Sequence, residues 1–265
     1  MRTARHHRTT RVLVATAAAA AGVSLAACGG SADQPRAAAA PAAATTPAAG
    51  SVYVAVGASE TAGYGAADPA REAWPTVLHQ QSLPRARYVN LGIPGATAAD
   101  ALAKEVPAAV AAAPTVVTVW LNVNDLVRQV PPSAYEYTLG RLVHQLRRGG
   151  QTKVLVANTP PVERMPSYLA CRPSPPAGAP PCQAPVQMPP PEVIKAAVRD
   201  YNAAIARVVR AEGAVLVDLH TAGQRAHKAG DDGELFGADG FHPSTLGHRA
   251  VADAFAATLR STEGR

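Results

Sequence analysis

A serine, an asparagine and an Asp-x-x-His pair form a set of residues that could perform acyl transfer. Ser59 and Asn124 each follow a run of β-branched residues, and Asp239 precedes His242 by three positions. A serine hydroxyl needs a base to take its proton, and a histidine base needs a partner that holds its tautomer. The sequence therefore predicts Ser59 as nucleophile, His242 as base and later acid, and Asp239 as the carboxylate that orients His242.

Acyl transfer also needs donors that are fixed in advance around the tetrahedral oxyanion. Three groups are predicted to fill this role: the backbone N–H groups of Ser59 and Gly95 and the side-chain amide of Asn124. Gly95 lies in NLGIPGAT, just after the end of another apolar run. Loss of one donor of this kind typically raises the barrier by about 2.7 to 4 kcal/mol.

Five short apolar runs alternate with helical periods and predict the strands that position these residues. Nearly continuous apolar strands that alternate with helices indicate a parallel sheet covered on both faces. The predicted fold is therefore an α/β, three-layer, doubly wound (flavodoxin-like) domain with a five-stranded parallel sheet. Ligands bind such sheets beyond the carboxyl ends of the strands, where the candidate residues lie. The predicted strands are 52–56, 88–91, 116–121, 154–157 and 214–219.

Three helices are predicted in the second half of the chain. The first has apolar residues at helical spacing from 135 to 146, and Ser133 with Glu136 matches the capping-box pattern at its start. The second covers 194–208, between a proline and a glycine, and the third runs from about 245 to 259.

The order of these blocks resembles that of the SGNH hydrolases, also called the GDSL esterase and lipase family, over residues 51–265. The blocks that carry the resemblance are Gly57-Ala58-Ser59, Gly95, Asn122-Val123-Asn124-Asp125 and Asp239 to His242. The resemblance implies an SGNH-type fold and a serine esterase or lipase that acts on carboxylic or other acyl esters through an acyl-serine intermediate. It implies no metal ion and no organic cofactor.

Two residues depart from the family pattern. Ala58 stands where the family has an aspartate beside the nucleophile, so the support of the nucleophile turn is in question. Asn122 stands where the third block has a glycine, which could change how closely the backbone passes the acyl pocket. Asp125 is interpreted as a structural acid, because a carboxylate beside an oxyanion donor would oppose the developing charge.

Other interpretations remain open at this point. Asp239 and His242 could bind a metal ion together with His220 or Asp231, although zinc sites need three or four converging ligands and no such spacing is present. His248 is interpreted as a surface or packing histidine. The alternative functions are acyl transfer to a cell-envelope sugar, and a catalytically silent binding lipoprotein with the same fold.

The N-terminal segment predicts export. Residues 1–27 combine four arginines, no acidic residue and an uncharged apolar run, which is typical of a secretory signal. The run ends in Leu-Ala-Ala-Cys, which resembles a bacterial lipobox, so Cys28 is the predicted lipidation site and first mature residue. Residues 28–50 are rich in alanine and proline and predict a tether, and 51–265 form the predicted hydrolase domain.

Anchoring by Cys28 predicts an extracytoplasmic protein on the outer face of the bacterial cell membrane. The alternative is an ordinary cleaved signal with a chance cysteine, which predicts a secreted protein. The full chain has a formal charge of +6, but the signal contains four of the 25 basic residues. The remaining 21 basic residues against 19 acidic residues leave +2, which removes the case for a nucleic-acid partner. The predicted partners are a small-molecule, lipid or glycan ester and the membrane, and the domain is expected to be a monomer.

Cys171 and Cys182 remain after Cys28 is assigned to the lipid. In an oxidising compartment we expect them to form a disulfide. They lie in a segment between Pro160 and Pro191 that contains 12 of the 24 prolines. This segment predicts either a rigid loop that overhangs the site or a surface insertion without a role in catalysis.

Overall fold

The computed structural model describes residues 50–179, 181–182, 188–230 and 233–263. The predicted signal peptide, Cys28 and the tether up to residue 49 lie outside the described residues. Five parallel strands form one sheet in the order β2-β1-β3-β4-β5, so the predicted doubly wound α/β fold is confirmed. The strands are β1 (Val52–Gly57), β2 (Arg87–Asn90), β3 (Val116–Trp120), β4 (Lys153–Ala157) and β5 (Val215–Val217).

Helices connect the strands and cover both faces of the sheet. No helix in the described ranges is both long and apolar enough to cross a membrane. The helices are α1 (Ser59–Ala62), α2 (Pro69–Glu72), α3 (Trp74–Ser82), α4 (Ala98–Ala111), α5 (Val123–Val127), α6 (Pro132–Arg147), α7 (Pro166–Cys171), α8 (Pro191–Glu212), α9 (Leu219–Ala229) and α10 (Thr245–Glu263).

The central strand β1 shows why the sheet must be covered on both sides. Successive side chains point to opposite faces of a strand. All six residues of β1 are buried, so both faces of the sheet are covered at this strand. Val54 and Val56 belong to a core formed with α4, α6 and α8, whereas Tyr53 and Ala55 belong to a second core formed with α3, α9 and α10. The two cores hold the carboxyl end of β1 in place from both faces.

The three predicted helices are present as α6, α8 and α10, but the predicted capping box of α6 is wrong. Helix α6 begins at Pro132, and no side chain caps its first turn. The Glu136 carboxylate instead accepts two hydrogen bonds from Arg207 of α8, at 2.8 and 2.6 Å. The structure has a capping box at α4, where Thr97 and Asp100 bond to each other's backbone N–H groups.

The end of β1 is supported by a buried glutamate that sequence reasoning did not single out. The Gly57 N–H donates to Glu105 Oε2 of α4 at 2.8 Å. A Cβ atom at Gly57 would lie 2.0 Å from Thr61 Oγ1, so only glycine fits. Ala58 is itself buried in the apolar core. Glu105 therefore supports the turn that the loss of the family aspartate at Ala58 had put in question.

Burial raises the pKa of Glu105 from 4.5 to about 8, so its ionisation should make stability depend on pH. Between these values the folded protein keeps a proton that the unfolded chain releases, and the unfolding free energy falls as pH rises. Glu105→Gln keeps an acceptor for Gly57 and cannot ionise. We expect urea unfolding to show similar stability at pH 5 and a gain on the order of 3 kcal/mol for the variant at pH 8.

The exposed Glu192 supplies a matched control. Glu192→Gln should follow the parent protein at both pH values. The same pH dependence in the parent and in Glu105→Gln would contradict this account of Glu105.

Candidate active site

The candidate site lies at the carboxyl edge of the sheet, where the strand order reverses. β1 and β3 are neighbours, with β2 on one side and β4 and β5 on the other. Ser59 begins α1 two residues after β1, and Asn124 lies in the short helix α5 that follows β3. This edge is the usual place for a ligand in an open parallel sheet.

Ser59, His242 and Asp239 form a continuous chain of hydrogen bonds. His242 Nε2 lies 3.0 Å from Ser59 Oγ, and His242 Nδ1 lies 2.5 Å from Asp239 Oδ2. A carboxylate beside Nδ1 favours the tautomer that carries the proton there, which leaves Nε2 to accept the serine proton. The three predicted residues are therefore brought together, although Ser59 and His242 are 183 residues apart in the chain.

The Asp-x-x-His spacing makes Asp239 organise its own turn. Asp239 Oδ1 accepts the backbone N–H groups of Phe241 and His242, both at 2.9 Å. Partial burial acts to raise the pKa of Asp239, but the hydrogen bonds from the His242 side chain and from these N–H groups outweigh it and lower the pKa below its ordinary value. The carboxylate therefore stays ionised beside the histidine.

The predicted oxyanion donors lie in the three segments that follow β1, β2 and β3. Asn124 Nδ2 donates to the Ala96 carbonyl at 3.0 Å, which ties α5 to the turn that contains Gly95. Asn124 also lines a narrow cleft together with Ala58 and Glu60, the residues on either side of Ser59 in the chain. A carboxamide has two N–H donors, and the bond to the Ala96 carbonyl uses one of them.

Asp125 and Asn122 have structural contacts near these donors. The Asp125 carboxylate accepts the Ala98 N–H at the start of α4, with the nearer oxygen at 3.0 Å, and burial raises its pKa to about 6. Asn122 has a φ of −166°, outside the positive range that favours glycine, so its φ does not require the glycine of the family pattern. Its Nδ2 lies 3.4 Å from the Ala157 carbonyl and connects the ends of β3 and β4.

The histidines outside the triad make other contacts. His248 is fully buried, accepts the Trp74 N–H at Nδ1 and lies 2.9 Å from the Tyr64 carbonyl through Nε2, so it is a packing residue. His220 lies 3.2 Å from the Thr159 carbonyl. Asp231 lies outside the described residues, and within those residues no three His, Cys, Asp or Glu side chains converge as metal ligands.

Glu60 is a buried site residue that sequence reasoning missed. Its Oε2 lies 3.4 Å from Ser59 Oγ, and the residue is only 7% exposed. Burial raises the pKa of the Glu60 carboxyl above its ordinary value, against the opposing effects of hydrogen bonds and the nearby His242. The available signal was its position directly after the nucleophile.

Glu60 also lines an apolar cavity of about 140 Å³ beside the triad. The first part of the proline-rich segment forms one wall of this cavity, through Pro160, Pro161, Arg164 and Met165. The Ser167 N–H donates to the Gly240 carbonyl at 3.0 Å and connects the segment to the Asp239 turn. Of the two interpretations of this segment, the structure thus favours a loop at the site for residues 160–167.

Cys171 and Cys182 are joined by a disulfide, the pairing that the sequence predicts. The Met188 N–H donates to the Cys171 carbonyl at 2.8 Å, which places the return of the segment against the end of α7. Residues 180 and 183–187 of this segment lie outside the described residues. The disulfide therefore joins two residues that come after the cavity wall in the proline-rich segment.

Solved structures with the same architecture include several ester hydrolases. A psychrotrophic esterase from Pseudoalteromonas sp. matches with 15% identity and a TM-score of 0.59, covering 81% of this chain and 99% of that one. A lipase/acylhydrolase from Enterococcus faecalis matches with 19% identity and a TM-score of 0.58, covering 80% and 96%. A catalytic mutant of an acetylxylan esterase from Geobacillus stearothermophilus matches with 22% identity and a TM-score of 0.56, covering 79% and 94%. At these identities the likeness establishes the fold.

The sequence itself matches a family model. No curated protein matches the chain. The model of the GDSL-like lipase/acylhydrolase family matches residues 55–250, a range that includes Ser59, Gly95, Asn124 and the Asp239–His242 pair. This range is well over half of the chain, which therefore belongs to the GDSL-like lipase/acylhydrolase family of ester-hydrolysing enzymes.

Proposed function

We propose that this enzyme hydrolyses carboxylic esters through an acyl-serine intermediate on Ser59. The observation that carries the proposal is the hydrogen-bond chain from Asp239 through His242 to Ser59, with contacts of 2.5 and 3.0 Å. A base within hydrogen-bond distance of a nucleophile, itself oriented by a third group, is the arrangement that activates a serine hydroxyl.

In the first half of the reaction, Ser59 Oγ attacks the ester carbonyl carbon while its proton passes to His242 Nε2. The carbonyl oxygen becomes an oxyanion, which accepts hydrogen bonds from the Ser59 and Gly95 N–H groups and from the second N–H of Asn124. His242 then gives its proton to the leaving alkoxide as the ester C–O bond breaks. An alcohol departs and the acyl group remains on Ser59.

In the second half, a water molecule attacks the acyl-serine while His242 accepts a proton from it. The same donors stabilise the second oxyanion. The bond between the acyl carbon and Ser59 Oγ then breaks, and His242 returns the proton to Oγ. The products are a carboxylic acid and the free enzyme. The ionised Asp239 holds the histidine in one orientation through both steps.

The proposal includes the location of the enzyme and the division of the chain. Residues 1–27 are a lipoprotein signal, Cys28 carries the lipid, residues 28–50 are the tether, and residues 51–265 are a monomeric hydrolase domain on the outer face of the cell membrane. The charge pattern of residues 1–27 and the Leu-Ala-Ala-Cys sequence support export and lipidation. The Cys171–Cys182 disulfide supports an oxidising compartment.

Removal of the nucleophile tests the mechanism. We expect Ser59→Ala to lower kcat/KM for p-nitrophenyl acetate by at least about 10³-fold, because the remaining groups can only stabilise attack by water. A fluorophosphonate should label the parent protein and leave Ser59→Ala unlabelled. The exposed Ser133 provides the control, since Ser133→Ala should be labelled and active like the parent. Equal hydrolysis by the parent and Ser59→Ala would contradict the proposed mechanism.

Removal of the lipidated cysteine tests the anchor separately. In a bacterial host that processes lipoproteins, we expect the parent to incorporate labelled palmitate and to partition into Triton X-114. Cys28→Ala should do neither, because the acyl chains supply the membrane affinity. Identical partitioning of the two proteins, without label in the parent, would show that Cys28 is not an anchor.

A further inference from the structure

Glu60 brings a carboxyl group next to the nucleophile and also lines the apolar cavity. Its Oε2 is 3.4 Å from Ser59 Oγ, and the residue is 7% exposed. The proposed mechanism leaves this group without a task, because Asp239 already orients His242 at 2.5 Å. A buried titratable group beside a nucleophile is costly to keep, so a binding role is worth testing.

The cavity beside Glu60 is suited to an apolar side chain. Its volume of about 140 Å³ is close to that of an engineered apolar cavity of about 150 Å³ in another protein that binds benzene. Glu60 and Arg164 are the only ionisable residues on its lining within the described chain. The apolar lining residues include Trp120, Val123, Leu219, Phe236, Phe241 and Val251.

No cation of the described chain neutralises Glu60 by an ion pair. Its titratable neighbours are His242 and Asp239, which already bond to each other. Arg164 is directed to Glu163, 4.0 Å away, and its buried Nε makes no hydrogen bond to a described residue. An ionised Glu60 would repel the oxyanion that forms beside Ser59, whereas a substrate cation next to Glu60 would cancel this repulsion.

We propose that the enzyme acts on esters of apolar α-amino acids, with the α-ammonium group paired to Glu60 and the side chain in the apolar cavity. The α-nitrogen is two bonds from the carbonyl carbon that Ser59 attacks. A carboxylate that already contacts Ser59 Oγ therefore lies within hydrogen-bond reach of this nitrogen. The inference rests on the proposed esterase function and names its substrate class. The ester C–O bond breaks and water is consumed as before, which releases a free amino acid and an alcohol.

The first experiment uses the parent protein alone. Leucine ethyl ester and ethyl 4-methylpentanoate differ by the α-ammonium group, and the leucine ester is supplied as each enantiomer. At about pH 6.5, where an α-amino group is protonated, we expect kcat/KM for one enantiomer to exceed that for ethyl 4-methylpentanoate at least about tenfold. Equal or slower hydrolysis of both enantiomers overturns the inference, while hydrolysis of ethyl 4-methylpentanoate would leave the esterase proposal intact. If the parent hydrolyses none of these esters, the substrate-class inference is overturned, and hydrolysis of p-nitrophenyl acetate decides the esterase proposal.

The second experiment assigns the preference to Glu60. Glu60→Gln keeps the size of the side chain and removes its charge, so the ratio of the two kcat/KM values should fall about tenfold. The exposed Asp253 on α10 supplies the control, since Asp253→Asn should keep the parent ratio. Fluorophosphonate labelling of Glu60→Gln shows that its Ser59 site is intact. A labelled Glu60→Gln with the parent ratio overturns the role of Glu60, and if the variant is not labelled, the parent comparison alone decides the substrate class.

Discussion

The hydrogen bond between His242 and Ser59 is the contact on which the rest of the site depends. It joins residues 183 positions apart, so the turn after β1 and the loop before α10 must be held against each other. Buried His248 of α10 bonds to the Trp74 N–H and to the Tyr64 carbonyl, which both lie in the segment that follows β1. The Thr245 hydroxyl adds a bond of 2.7 Å to Glu72. These bonds lie outside the triad and hold the segment that carries His242 against the segment that carries Ser59.

Buried carboxyl groups surround the catalytic turn, and burial raises the pKa of each. Glu105 bonds to the Gly57 N–H, Asp125 bonds to the Ala98 N–H, and Glu60 lies beside the Ser59 hydroxyl. The first two hold backbone turns that carry site residues, which explains why they are retained despite the cost of burial. Glu60 differs from both, because its carboxyl lies beside the Ser59 hydroxyl and lines the apolar cavity, and this difference is why we assign it to the substrate.

The elements and the catalytic blocks could be predicted because both depend on local sequence. Apolar runs and helical periods mark β1 to β5, α6, α8 and α10, and residues directly after parallel strands must meet at one edge. The roles of Glu60 and Glu105 depend on tertiary packing, which places one carboxyl against a cavity and the other against β1. The capping box failed for the same reason, since Glu136 finds a stronger partner in Arg207 of another helix than in its own backbone.

The central claim is that Ser59 carries the acyl group during turnover. The most direct measurement is to mix the enzyme with p-nitrophenyl acetate, quench in acid within the first turnovers, and map the modified peptide by mass spectrometry. We predict one added acetyl group, located on Ser59, that disappears when the reaction is allowed to finish before the quench. An acetyl group on another residue, or hydrolysis with no acyl-enzyme at any quench time, would contradict it.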